Sequence, residues 1–182
     1  MKKRGKSNIN RLGQVWIETV IYTLIALVMI GAVLAFVKPK IEEMQDKAII
    51  EQSMGVIEGI DGEILSVVKG GQGNKRIIPV VIKKGSLIIN GEEDSISFYI
   101  EGKYAFSEPG IDVDIAGITA RTEKAGKISK ITLTKSYKDR YDIKFNLKDE
   151  IKRLEKSPTP YKISIINSGA NNEGIQIDIS IS

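Results

Sequence analysis

The chain contains no cysteine and no histidine. Without cysteine there is no disulfide framework and no thiolate chemistry. Without either residue there is no imidazole general base and no His- or Cys-ligated metal site. Aromatic residues are scarce, at 6% of the chain. Acids are missing from the first 13 residues, where Lys2, Lys3, Arg4, Lys6 and Arg11 are the only charges. The formal charge of +4 is therefore local: five of the 27 bases stand at the N-terminus, and the remaining 22 face 23 acids. A basic end ahead of an otherwise balanced chain reads as a membrane topology signal rather than a nucleic-acid surface.

What is abundant is aliphatic. From Val15 to Val37, 23 residues carry one charge, Glu18. At about 1.5 Å per residue, a helix of that length spans a hydrocarbon core about 30 Å thick. It exceeds the about 7–15 apolar residues of a secretory signal, and no small-residue cleavage pattern follows it. The preceding bases place the N-terminus in the cytoplasm and the remainder outside.

Helical spacing continues past the apolar run. Ile41, Met44 and Ala48, then Ile57, Ile60, Ile64 and Val67 or Val68, form a stripe expected to pack on a sheet face. Pro39 is expected to kink this helix, not end it. Gly55, Gly59 and Gly62 make a break near Gly55 plausible. Lys69-Gly70-Gly71-Gln72-Gly73-Asn74 is the stop signal.

Beyond Asn74 the period becomes strand-like. Segments 77–84, 86–90, 95–101, 127–135, 141–147, 161–167 and 175–182 alternate or run apolar, with weaker strands at 111–115 and 117–122. Turns are expected at Lys84-Gly85, Asn90-Gly91, Pro109-Gly110, Lys138-Asp139 and Gly169 to Asn172. Segment 148–156 reads as a short helix or charged loop. The expected class is α+β: a long hydrophobic helix, then a compact antiparallel β-rich head, as a sandwich or small barrel. The expected divisions are a basic leader (1–13), a long helix (14–69, of which 14–37 is membrane or polymer core and 38–69 amphipathic) and a head domain (74–182) that folds by itself.

The N-terminus resembles an archaeal type IV pilin precursor with a class III signal peptide, within the pilin and archaellin superfamily. The resemblance lies in a short basic leader, Gly13 followed by Gln14, Glu18 as the fifth residue counted from Gln14, and the apolar run to Val37. It covers about 40 residues. Leu12, not a base, precedes the glycine, which departs from the usual pattern. The resemblance implies cleavage after Gly13 by a prepilin peptidase and assembly by an ATPase and a platform protein. The product would be a helical homopolymer on the cell surface. It also implies that Glu18 pairs with the new amine of Gln14 on a neighbouring subunit. The plain alternative is a Glu18 that snorkels to the interface of an ordinary anchor.

Other features read as structural. Gly31 and Ala32 permit close helix approach, and Trp16 and Tyr22 suit an interface. The acid groups Glu92-Glu93-Asp94, Asp112-x-Asp114 and Asp139-x-x-Asp142 lack EF-hand spacing and read as solvated turns. Gly70-Gly71-Gln72-Gly73 lacks the Lys-Ser/Thr of a phosphate loop. No nucleophile–base set points to an enzyme, and no cofactor, metal or nucleic acid is indicated. Two functions are expected from this sequence. One is a pilus-like filament subunit. The other is a single-pass, membrane-anchored extracellular β-domain that binds a ligand or partner, as an adhesin does.

Overall fold

The computed structural model describes residues 9–171 and 174–181, with side chains from Val15 onward. Among the described residues one helix, α1 (Ile9–Gly70), is followed by ten strands. Pro39 lies inside α1, and the helix runs unbroken through Gly55, Gly59 and Gly62. The break considered near Gly55 is absent. Contacts divide the chain into a unit Met1–Glu42 and a unit Glu43–Ser182. The second half of α1 thus belongs to the same compact unit as the strands.

That unit contains two open sheets, not a closed barrel. The four-stranded sheet has the order β1-β9-β10-β7, formed by β1 (Lys75–Val80), β7 (Tyr141–Phe145), β9 (Tyr161–Asn171) and β10 (Gly174–Ile181). The six-stranded sheet has the order β4-β5-β6-β3-β2-β8. Its strands are β2 (Ser86–Asn90), β3 (Ser95–Gly102), β4 (Asp112–Ile115), β5 (Ile118–Ala125), β6 (Ile128–Ser136) and β8 (Ile151–Glu155). All pairings are antiparallel except β10 with β7.

The inward positions follow the sequence alternation. Leu87 and Ile89, Ile96, Phe98 and Ile100, and Ile131 and Leu133 are all buried, as are Ile163, Ile165, Ile177 and Ile179. They form one core with Ile50, Ile57, Ile60, Ile64 and Val67 of α1. The buried helical stripe is Asp46, Ile50, Ser53, Ile57, Ile60, Ile64 and Val67, alternating steps of four and three residues. Its second half matches the expectation. Its first half does not: Ile41, Met44 and Ala48 are exposed, and Asp46 takes the inward position.

Three local expectations are corrected. Segment 151–155 is a strand pairing with β2, not a helix or loop. It is an edge strand with only Leu154 turned inward and with Lys152, Arg153 and Glu155 among its exposed residues, charges suited to an edge. The β2–β3 connection is a four-residue loop, since Asn90 pairs with Ser95 and the left-handed residue is Asp94, not Gly91. Gly169 lies within β9, where a register shift against Gln176 and Ile177 is accommodated at its positive φ of 109°.

Candidate functional site

Between Val15 and Val37 every large apolar side chain is exposed, from 42% at Val37 to 80% at Phe36. Burying such residues is worth roughly 1.5–3 kcal/mol each. Sixteen of them left in water would be a large penalty, so this segment requires a lipid or protein environment. Among the described residues α1 is the one helix long and apolar enough to cross a membrane. Apart from Glu18, the two threonines of the segment do not oppose this. Thr19 Oγ1 donates to the Val15 carbonyl (2.9 Å) and Thr23 Oγ1 to the Thr19 carbonyl (2.8 Å). A hydroxyl satisfied within its own helix adds little cost in an apolar medium.

Of the residues singled out in the sequence, Glu18 occupies an exposed position on α1 in the same stretch as Trp16 and Tyr22. Gly13 and Gln14 lie in α1 by backbone, and their side chains are outside the described residues. The leader residues 1–8 are also outside them. A methyl group at Gly31 would meet nothing within 4 Å, so its small size answers to no contact in this chain.

Sequence reading missed a buried carboxylate at the start of the compact unit. Asp46 accepts hydrogen bonds from Lys84 Nζ (2.5 Å), the Lys103 N–H (2.6 Å) and the Tyr104 N–H (3.4 Å). Burial alone would raise its pKa, but the Lys84 ammonium and the two backbone donors together hold it below the usual aspartate range. The only sequence signal was position: Asp46 stands one turn before Ile50. Further along α1, Asp61 pairs with Lys135 (3.4 Å), and the Val67 carbonyl accepts from Asn167 Nδ2 (3.3 Å).

Four acids of these groups, Asp94, Asp112, Asp114 and Asp142, are engaged within the fold. Asp94 accepts the Ile143 N–H (2.8 Å), Asp112 pairs with Arg121 (3.2 Å), and Asp114 accepts the Gly117 N–H (3.1 Å). Asp142 Oδ1 is 2.8 Å from Lys144 Nζ, which also bonds Asp149, and Asp142 Oδ2 accepts from Asn171 (2.7 Å). Among the described residues no group of three or more acids is arranged to hold a metal ion. Among the described residues, the feature left uncovered is therefore the apolar half of α1. No family model, no curated protein and no solved structure matches this chain.

Proposed function

We propose that the protein is a structural subunit of a type IV pilus-like surface filament, made as a membrane-anchored precursor and cleaved after Gly13. The single observation that carries this reading is the wholly exposed apolar segment, coupled with Glu18 in register with Gly13-Gln14. A bilayer covers that segment in the precursor. Neighbouring copies of the same segment cover it in the polymer, where Gln14 to Val37 form the core. Cleavage creates an α-amino group at Gln14, and a charge buried in such a core needs a counter-charge. Glu18 supplies it on the adjacent subunit and thereby sets the axial register. A prepilin peptidase, an assembly ATPase and a platform protein are the partners this reading requires.

The second reading stops at the membrane: a single-pass anchor carrying an extracellular β-rich head. The same exposed segment supports it, and processing separates the two. Intact mass of the native protein, combined with imaging of cell-surface filaments, is the test. The filament reading expects a chain beginning at Gln14 within filaments. A membrane-retained chain beginning at Met1 would leave only the anchored head.

A further inference from the structure

At the β7 edge of the four-stranded sheet, the chain turns sharply and leaves an apolar side chain at the tip. Phe145 and Lys148 exchange backbone hydrogen bonds of 2.9 and 3.2 Å around Asn146 and Leu147. Both central residues have positive φ, 52° and 64°. This two-residue hairpin geometry favours Asn followed by Gly. Leu in the second place is strained. The buried Asp178 accepts the Leu147 N–H at 2.6 Å and holds it there. The result is an apolar knob: Leu147 is 65% exposed, and Ile151, four residues on at the start of β8, is 55% exposed. Two cations follow it in the chain: Lys148, whose exposed ammonium is 3.4 Å from Glu150, and Lys152, 5.7 Å from the Phe145 ring centre.

The other edge of the same sheet, β1, borders an open groove. Between α1 and β1 runs a groove of about 410 Å³ lined by Gly55, Val56, Gly59, Ile78 and Val81, with Glu63 at its side. A methyl group on Gly55 or Gly59 would meet nothing within 4 Å. No contact in the protomer requires these glycines, although glycine inside a helix is less stable than alanine. The knob and the groove thus lie at opposite edges of one sheet, β1-β9-β10-β7. They are three strand spacings apart, on the order of 14 Å.

We propose that the Leu147 turn of one copy seats in the α1–β1 groove of the next. Leu147 and Ile151 meet Val56, Ile78 and Val81, the glycines let the turn approach the helix backbone, and Lys148 and Lys152 face Glu63. Two different patches of one chain joined in this way make a heterologous contact, which propagates into an open helix unless its rotation closes a ring. The inference rests on the polymer reading above and assigns the head its own share of the assembly.

The absence of cysteine makes the test clean. Full-length protein carrying Leu147→Cys and Val81→Cys, oxidised in cells that produce it, should give a ladder of disulfide-linked multimers. Either single variant should give no disulfide-linked multimers. Imaging the same cells keeps the two ideas apart. Filaments without a ladder overturn this contact and leave the filament reading standing. A ladder without filaments supports the contact and counts against the filament. Neither ladder nor filaments overturns both. Dimers from Leu147→Cys alone would mean symmetric pairing and also overturn the proposal. As an independent check, Leu147→Gly should raise the melting temperature while shortening or abolishing filaments. A raised melting temperature with unchanged filaments would refute the knob.

Discussion

A methyl group at Gly102 would come within 2.6 Å of Asp46 Oδ2, so the strand end is shaped around the carboxylate. Gly102 is the last residue of β3, and the next two backbone N–H groups, of Lys103 and Tyr104, donate to that oxygen. Glycine is needed here for space, not for a left-handed backbone. Asp46 thereby fastens the start of the compact unit's helix to the six-stranded sheet.

Removing this carboxylate should destabilise the head. Asp46→Ala leaves two backbone donors without their acceptor and Lys84 without its partner. Buried groups left unpaired cost about 1–3 kcal/mol each. Lys84 is partly exposed and can rehydrate, which lowers its share. A net loss of about 2–4 kcal/mol is expected in denaturant melts. Gly102→Ala should lose stability by crowding the same oxygen. Melts unchanged by either substitution would mean that the clamp is incidental.

The pH dependence follows from the same groups. Asp46 has its pKa depressed in the folded state, so its contribution is present above the ordinary aspartate range and is lost as pH falls below it. Burial alone would lower the Lys144 pKa, but its hydrogen bonds to Asp142 and Asp149 raise it. Its contribution is present below the ordinary lysine range and is lost as pH rises through and above it. Stability should form a plateau from about pH 4 to about pH 10. Asp46→Asn should flatten only the acid limb, and Lys144→Met only part of the alkaline one. Thermal melts across pH check both.

Chain length matters in a specific way. Ile50, Ile57, Ile60, Ile64 and Val67 are each at most 1% exposed within the head's core. A fragment starting at Glu43 keeps all five and should be soluble, cooperative and monomeric. One starting at Asn74 uncovers the apolar surface they seal. At roughly 1.5–3 kcal/mol per side chain, five amount to about 7.5–15 kcal/mol, comparable to the about 5–15 kcal/mol by which most domains are stable. Equal melting temperatures for the two fragments would contradict this.

How much of this was legible in the sequence depended on whether the signal was local. Strands such as Ser95–Gly102 and Ile128–Ser136 announce themselves because alternate residues are apolar and turns bound them. Strand β8 does not, since IKRLE offers one inward residue, Leu154, among charges suited to an edge. The parallel pairing of β10 with β7 joins segments about 30 residues apart and leaves no local mark. In α1 two apolar readings compete between residues 41 and 50. The true one runs through Asp46, a charge that sequence periodicity places outside and that only Lys84, Lys103 and Tyr104 make tolerable inside. The apolar segment and the Gly13-Gln14-Glu18 register were open to reading, because both are patterns in consecutive residues. The knob at Leu147 was not, because Asn-Leu is an ordinary pair until the backbone forces both residues to positive φ.

Glu18→Ala tests the assembly reading most directly, because membrane and filament predict opposite signs. In the bilayer, removing a carboxylate from an apolar segment lowers the insertion cost, by at most about 2.5–3.5 kcal/mol for a central charge and by less near the interface. Insertion of the precursor should therefore be unchanged or improved. In the polymer, the same change deprives the Gln14 amine of its counter-charge. Breaking a buried pair costs about 3–5 kcal/mol, and the penalty recurs at each added subunit. Filaments should disappear while membrane-bound protein persists. Glu18→Gln should behave nearly as badly, since a neutral amide restores a hydrogen bond but not the charge. Cleavage after Gly13 should continue in both variants if Glu18 acts at docking and not at processing, which intact mass will show. Normal filaments from Glu18→Ala cells would mean that the acid is an interfacial bystander, leaving the exposed segment of α1 to serve as a plain anchor.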